Sequence, residues 1–228
     1  MTSTPTPKAP EAPAGSSPVG GDAWRKRVRL QTKYSNPNPI ARRLTQGFLD
    51  TLRGFSAQAL AGLDAGDLVL EAGCGEGINL AMLEALPGAA DKRLVGFDID
   101  DPSLENARHL VTRSEVTKGD IYAIAQPDAS CGLVLCCEVL EHLDDPARAL
   151  RELHRVARGP VILSVPREPV WCMLNMARGK YWGSLGNTPG HLNHWTRGGF
   201  VRFVSTVFDV REVKSPLPWT MLLAHKRG

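Results

Sequence analysis

Two acidic residues and three glycines carry the clearest chemistry in this sequence. Glu71 ends a short apolar run and is followed by Gly73, Gly75 and Gly77. Glycine tolerates φ > 0 and lets backbone approach a ligand more closely than residues with a Cβ do. Residues 78–85 are helix-prone, so the loop opens onto a helix N-terminus, where free N–H groups and the helix dipole favour an anionic ligand group. The pattern predicts half of a nucleotide-binding βαβ unit.

A second acid, Asp98, lies 21 residues beyond Gly77 at the end of another strand-like stretch. A carboxylate at such a strand tip can accept hydrogen bonds from both hydroxyls of a ribose. The glycine spacing is G-x-G-x-G, which differs from the G-x-G-x-x-G of nicotinamide sites. A glycine-rich turn that binds nothing is the competing interpretation, and the second acid makes it the less favoured one.

These motifs resemble those of class I S-adenosylmethionine-dependent methyltransferases. Leu-Val-Leu-Glu-Ala-Gly-Cys-Gly-Glu-Gly at 68–77 is similar to their first motif, and Gly-Phe-Asp-Ile-Asp at 96–100 to their second. Glu-Val-Leu-Glu-His-Leu-Asp-Asp-Pro at 138–146 looks like the fourth-strand motif of small-molecule enzymes, including the ubiquinone-biosynthesis O-methyltransferases. The resemblance implies an α/β fold with a Rossmann-like, doubly wound seven-stranded sheet, mostly parallel with an antiparallel last strand. The implied cofactor is S-adenosyl-L-methionine.

The resemblance also implies which residues contact the cofactor. Asp98 would hold the ribose, Asp120 would accept the adenine amino group, and Ile121 would pack on the adenine ring. Residues just past the fourth strand would line the methionine end and the reaction centre. The complete predicted set is Glu71, Gly73, Cys74, Gly75, Gly77, Asp98, Ile99, Asp120, Ile121, Cys137 and Glu138.

Methyl transfer from a sulfonium is an in-line displacement that needs positioning and exclusion of water rather than a nucleophilic side chain. A hydroxyl or ammonium acceptor must still lose a proton, and histidine is the usual base near neutral pH. His142 and His194 are the candidate catalytic residues, although His142 could instead brace the loop after the fourth strand. His191 and His194 could form two legs of a metal site. No third ligand accompanies them at metal spacing, so no metal is predicted.

Residues 167–196 form a long connection between the fifth predicted strand and the last predicted helix, and large aromatic residues are dense in it. Long loops on a rigid scaffold commonly carry specificity, so we predict an insertion that caps the substrate. A simple lid, or peripheral membrane contact through 170–182, are the alternatives. Lys33, Tyr34 and Asn36 precede the first predicted helix and are lid candidates, unless that helix only docks on the sheet. The candidate substrate residues are Tyr34, Trp171, Tyr181, His191, His194 and Trp195.

Composition sets the remaining limits. The chain has 228 residues, enough for one α/β domain, and a net charge of +3 with no basic run that would favour nucleic acid as a partner. Five cysteines without a C-x-x-C motif suit a reducing cytoplasm. Residues 1–22 are predicted to be a disordered tail, and 23–228 the methyltransferase domain. Oligomeric state is not readable from these features.

The predicted function is methyl transfer to a small-molecule acceptor, giving S-adenosylhomocysteine. Two alternatives stay open: a catalytically inactive cofactor-binding module, and a nicotinamide-dependent oxidoreductase built on the same half-fold.

Overall fold

A single mixed sheet of seven strands organises the computed structural model, which describes residues 38–179 and 181–227. The sheet order is β3-β2-β1-β4-β5-β7-β6, and β7 runs antiparallel to both of its neighbours while the other pairs are parallel. The predicted fold class is confirmed. The strands are β1 Leu68–Ala72, β2 Arg93–Asp98, β3 Glu115–Lys118, β4 Cys131–Cys137, β5 Pro160–Pro166, β6 Phe208–Lys214 and β7 Trp219–Lys226.

Helices cover both faces of the sheet, which explains why β1 and β4 are buried throughout and, apart from Glu71 in β1, apolar. Two apolar cores result, one on each face. The helices are α1 Pro39–Leu60, α2 Ile78–Glu84, α3 Asp101–Leu110, α4 Pro146–Val156, α5 Val170–Ala177 and α6 Arg197–Val204, with short 3₁₀ turns at Pro87–Ala89, Leu140–His142 and Trp182–Ser184. Among the residues described, no helix has the length and apolar character needed to cross a bilayer.

Side-chain caps begin several of these helices where the sequence predicts them. Asn38 accepts from the Ile40 amide over 2.8 Å at the start of α1, and Asp145 and Thr196 cap α4 and α6 in the same way. The sequence Asp101-Pro102 predicts Asp101 as the cap of α3. In the structure Asp100 is the cap: it accepts from the Ser103 amide over 3.1 Å, and Asp101 is the first helical residue.

The insertion at 167–196 contains more regular structure than a long loop. Helix α5 lies within it and begins without a side-chain cap, so no local start signal marks it in the sequence. The buried Asn175 side chain donates to the Gly186 carbonyl over 2.8 Å and to the Thr188 hydroxyl over 3.1 Å. These bonds tie α5 to the chain that returns toward α6. The predicted tail, the residues Lys33, Tyr34 and Asn36, and Lys180 lie outside the described residues.

Candidate functional site

A cavity of about 640 Å³ lies at the carboxyl ends of the central strands, where the sequence analysis placed the cofactor. The first part of the predicted set lines it, namely Gly73, Cys74, Gly75, Asp98 and Ile99. The second part does as well, namely Asp120, Ile121, Cys137 and Glu138, and so does the catalytic candidate His142. Glu71 and Gly77 do not line it. The structure therefore brings together most of the residues assigned to the cofactor, although they come from four different strand ends.

The glycine loop between β1 and α2 has three residues with positive φ, but the three glycines do different work. Gly73, Gly75 and Gly77 have φ of +76°, +49° and +77°. A Cβ on Gly73 would clash with the Val139 side chain, and one on Gly77 would lie 2.9 Å from Ala107 Cβ, whereas one on Gly75 meets nothing within 4 Å. Packing therefore requires glycine at the first and third positions. Gly75 alone leaves open space beside the cavity.

Asp98 is held in place by the loop that it faces. One carboxylate oxygen accepts from the Gly75 amide over 2.7 Å and the other from the Asp100 amide over 3.1 Å. A carboxylate offers about four lone-pair positions, so two amide bonds leave capacity for hydroxyl groups of a ligand. The strand end and the glycine turn thus fix this acceptor before any ligand arrives.

Glu71 lies beneath the glycine loop rather than in the cavity. Its side chain is fully buried and accepts from the Asn79 amide group over 2.7 Å. Within 38–179 and 181–227, its second carboxylate oxygen has no hydrogen-bond partner. Burial, with a smaller contribution from the charge of Asp98, raises the pKa of Glu71 to about 8.

Tyr122 was missed in the sequence and lines the cavity beside Asp120 and Ile121. The Asp120 carboxylate accepts from the Tyr122 amide over 2.8 Å, which turns the chain after β3. The Tyr122 hydroxyl bonds to the Asp144 carboxylate and accepts from the Asp145 amide over 3.1 Å. Burial is the main cause that raises the pKa of this phenol. Its position directly after the Gly-Asp-Ile turn was the available signal.

On the β4 side, Glu138 and Phe48 line the cavity and Trp219 contacts both of them; neither aromatic residue was assigned from the sequence. Glu138 has φ of +61°, and its carboxylate accepts from the Ser164 hydroxyl over 2.9 Å and from the Trp219 indole over 2.5 Å. Phe48, another lining residue, packs on Trp219 with ring centroids 5.1 Å apart. Because β7 lies beside β5, Trp219 reaches a residue 81 positions earlier in the chain.

His142 and His191 meet on this side. Their rings are 4.9 Å apart and nearly perpendicular, and Trp171 lies 5.7 Å from the His191 ring. Burial, followed by the charges of His142 and His194, lowers the pKa of His191 to about 4. Glu141, His142 and His191 each offer a metal-type ligand atom within 4.8 Å of the others. From the sequence His191 was paired with His194; in the structure its neighbours with ligand atoms are Glu141 and His142, from the turn after β4.

The other substrate candidates lie away from the cavity. His194 is exposed beside Glu168, with Nδ1 3.5 Å from the carboxylate. Trp195 packs against Phe200 and Phe203 at 5.7 and 5.4 Å, and Tyr181 is 38% exposed. Trp171 and His191 form a layer behind His142 rather than the cavity wall. Tyr34 lies outside the described residues. The predicted cluster of insertion aromatics is therefore divided among three places.

Comparison with known proteins supports the resemblance. Residues 70–163 match a family described as "Methyltransferase domain". A probable S-adenosylmethionine-dependent methyltransferase of Mycolicibacterium smegmatis is 35% identical over 111 residues, covering 48% of this chain and 42% of that protein. A ubiquinone biosynthesis O-methyltransferase of Pseudomonas paraeruginosa is 38% identical over 117 residues, covering 48% of each. The chain thus spans less than half the length of these curated relatives.

Solved structures share the fold at low sequence identity. Magnesium protoporphyrin IX methyltransferase from Synechocystis, solved with bound SAH, is 18% identical with a TM-score of 0.63, covering 90% of this chain and 93% of that one. A SAM-dependent methyltransferase from Aquifex aeolicus is 17% identical with a TM-score of 0.61, and the match covers 90% of this chain and 98% of that one. The [4+2]-cyclase SpnF is 18% identical with a TM-score of 0.57, and the match covers 78% of this chain and 81% of that one. The architecture is confirmed, and its occurrence in a cyclase means that the fold alone does not define an activity.

Proposed function

We propose that this chain is an S-adenosylmethionine-dependent methyltransferase that acts on a small-molecule acceptor. The observation that carries the proposal is one continuous cavity with two different sides. Two acidic hydrogen-bond acceptors, Asp98 and Asp120, lie at the ends of β2 and β3 on one side of β1, and Glu138 and His142 follow β4 on the other side. Such an arrangement suits a ligand with a nucleoside part, whose reactive group faces a second molecule. The methyltransferase match over residues 70–163 supports the same activity.

The residues present fit S-adenosylmethionine. The cavity volume of about 640 Å³ falls within the range of roughly 300–1,000 Å³ usual for small-molecule sites. Asp98 would accept from the ribose hydroxyls, Asp120 would lie near the adenine amino group, and Ile121 would offer an apolar surface to the ring. The open space at Gly75 admits a ligand against the loop backbone. When bound, the cofactor would supply an activated methyl group on a sulfonium.

The chain itself would then orient the acceptor and receive its proton. His142 has Nδ1 2.9 Å from the Gly190 carbonyl, so donation there leaves the Nε2 lone pair for a proton from an acceptor hydroxyl. Glu138, fixed by Ser164 and Trp219, would attract the cationic methionine end of the cofactor. Phe48 and Trp219 would limit the access of water. Glu71 would not contact the cofactor; its hydrogen bond from Asn79 would help to hold the glycine loop in place.

Contacts of the insertion at 167–196 support a binding place for the acceptor beside His142. The ring of Trp171 lies 5.9 Å from that of Trp219, and the ring of His191 lies 4.9 Å from that of His142. We propose that 167–196 caps the acceptor from this side. Its exposed apolar side chains, Trp182 at 66% among them, support a second role in peripheral membrane contact. Vesicle co-sedimentation that is reduced in Trp182→Ser would favour that role.

Calorimetry and a turnover assay test the function together. S-adenosylhomocysteine should bind to the full chain, and Asp98→Asn should weaken it by roughly tenfold or more, the loss of charge-assisted hydrogen bonds. Asp101→Asn is the matched control, because Asp101 lies on the outside of α3 and pairs with Lys118 over 2.6 Å. Wild-type affinity in Asp98→Asn would contradict the assigned site.

The second arm separates the alternatives. Incubation with S-adenosylmethionine and a panel of phenols, alcohols and carboxylic acids should yield S-adenosylhomocysteine. Binding without turnover on any acceptor, including a small-molecule extract, would favour the inactive cofactor-binding module. Tight NADH binding in a fluorescence titration would favour the oxidoreductase, which the glycine spacing and the antiparallel β7 argue against.

A further inference from the structure

The turn after β4 and the end of the insertion are joined by hydrogen bonds at one edge of the cavity. The amides of Leu192 and Asn193 donate to the Glu141 carbonyl over 2.8 and 3.0 Å. The Asn193 side-chain amide donates to two further carbonyls of the same turn, over 3.2 and 2.6 Å. These bonds hold His191 next to the turn although 49 residues separate it from His142. The juxtaposition is therefore built into the fold.

Three side chains converge where these segments meet. Glu141 Oε1 lies 3.8 Å from His142 Nε2, and the His142 and His191 rings are 4.9 Å apart at an angle of 78°. One ligand atom from each residue lies within 4.8 Å of the other two. Protein ligands bind zinc at roughly 2.0–2.2 Å, so small side-chain rotations would bring all three to one ion. We infer that Glu141, His142 and His191 form a binding site for a divalent transition-metal cation.

The surroundings are those of a metal site. Two imidazoles and one carboxylate form a ligand set that binds zinc and keeps a coordination position open. A metal-bound histidine usually donates its second ring N–H to a carbonyl or carboxylate, and His142 Nδ1 lies 2.9 Å from the Gly190 carbonyl. Donation to that carbonyl directs Nε2 to the ion. The Glu141 side chain is only 2% exposed, so this ligand is shielded from bulk water.

The site faces the cavity through His142, which is one of its lining residues. An ion held there would occupy the Nε2 lone pair of His142 and would therefore replace His142 as the means of removing the acceptor's proton. It would offer an open position to an oxygen atom of the acceptor and would lower the pKa of a bound hydroxyl. This step rests on the proposed methyl transfer, whereas the metal site does not. A metal ion at this site would restrict the acceptor to compounds with hydroxyl or carboxylate oxygens. His194 and Glu168 form the adjoining pair and are not ligands in this assignment.

Calorimetric titration of Zn²⁺ into the full chain, after dialysis against EDTA, tests the site directly. One equivalent should bind, and His142→Asn or His191→Asn should weaken binding by about 100-fold or more, since outer-shell changes alone cost 10–100-fold. His109→Asn, exposed on α3, is the matched control and should keep the wild-type affinity. His194→Asn should change it less than about threefold, because its loss leaves all three ligands present.

A second measurement keeps the test decisive if the buried His191 variant does not fold. His142 is 47% exposed, so His142→Asn should fold, and it should abolish the visible absorption bands of Co²⁺ bound to the wild-type chain. Absence of Zn²⁺ binding and of Co²⁺ bands in the wild type would overturn the site. Binding that survives both variants would also overturn it. S-adenosylhomocysteine affinity, measured in EDTA on the same samples, separates failure of the metal site from failure of the proposed function.

Discussion

Glu71→Gln should become more stable relative to the wild type as the pH rises, because the wild-type carboxyl is buried in its protonated form. Burial raises the pKa of Glu71 from 4.5 to about 8 in the folded chain. A carboxyl whose folded-state pKa is raised binds more protons in the folded state than in the unfolded state between these values. The free energy of unfolding then falls with increasing pH by up to about 1.4 kcal/mol per pH unit. The stabilisation is fully present below pH 4.5 and is lost as the pH rises through about 8.

The magnitude follows from that window. Integrated between pH 5 and pH 8, the linkage amounts to about 3–4 kcal/mol, which is large against the total stability of a domain, about 5–15 kcal/mol. Glutamine stays neutral and can keep the 2.7 Å hydrogen bond that Asn79 donates. Between pH 5 and pH 8, the free energy of unfolding of the wild type should therefore fall by about 3–4 kcal/mol relative to that of Glu71→Gln.

Urea unfolding followed by far-ultraviolet circular dichroism at pH 5, 6.5 and 8 measures the difference. Other titrating groups contribute equally to both proteins, so their effects cancel in it. Glu105→Gln is the control, because Glu105 is exposed on α3 and its replacement should leave the pH dependence of unfolding unchanged. Parallel stability curves for the wild type and Glu71→Gln would refute the reasoning.

Four further substitutions test the glycine loop, the packing of Trp195 and the hydrogen bonds of Arg155. Gly75→Ala should fold with a loss of about 1–2 kcal/mol from its positive φ and should weaken S-adenosylhomocysteine binding. Gly73→Ala should lower the melting temperature more, since its Cβ clashes with a valine side chain; equal melting temperatures would contradict this. Trp195→Ala should cost about 2–3 kcal/mol in urea unfolding with unchanged ligand affinity, because Trp195 packs under α6; a turnover defect without destabilisation would return it to the acceptor site. Arg155→Leu removes hydrogen bonds to two carbonyls of 124–126 and should lower stability by about 2 kcal/mol, measured by thermal melting.

The strands along the chain and the residues of the cofactor end could be predicted because their signals are local. Apolar runs mark β1 and β4, glycines mark the turn after β1, and caps such as Asn38 and Asp145 act within four residues. Parallel strands then place Asp98 and Asp120 at one sheet edge, whatever else the chain does. The resemblance to methyltransferases rested on these same signals, and Gly73, Gly75, Asp98 and Asp120 line the cavity as expected, whereas Glu71 and Gly77 do not.

What only the tertiary structure decided are contacts between distant parts of the chain. Glu71 reads as a ligand-binding acid, but its burial depends on how the loop folds over it. Trp219 reaches Glu138 across 81 residues because β7 inserts beside β5. His142 meets His191 because backbone hydrogen bonds seat the insertion on the turn after β4. A sequence pattern indicates which neighbours along the chain can form a helix, strand or turn. The partners of a buried side chain are set by packing instead, and packing brings distant residues together only once the whole core has formed.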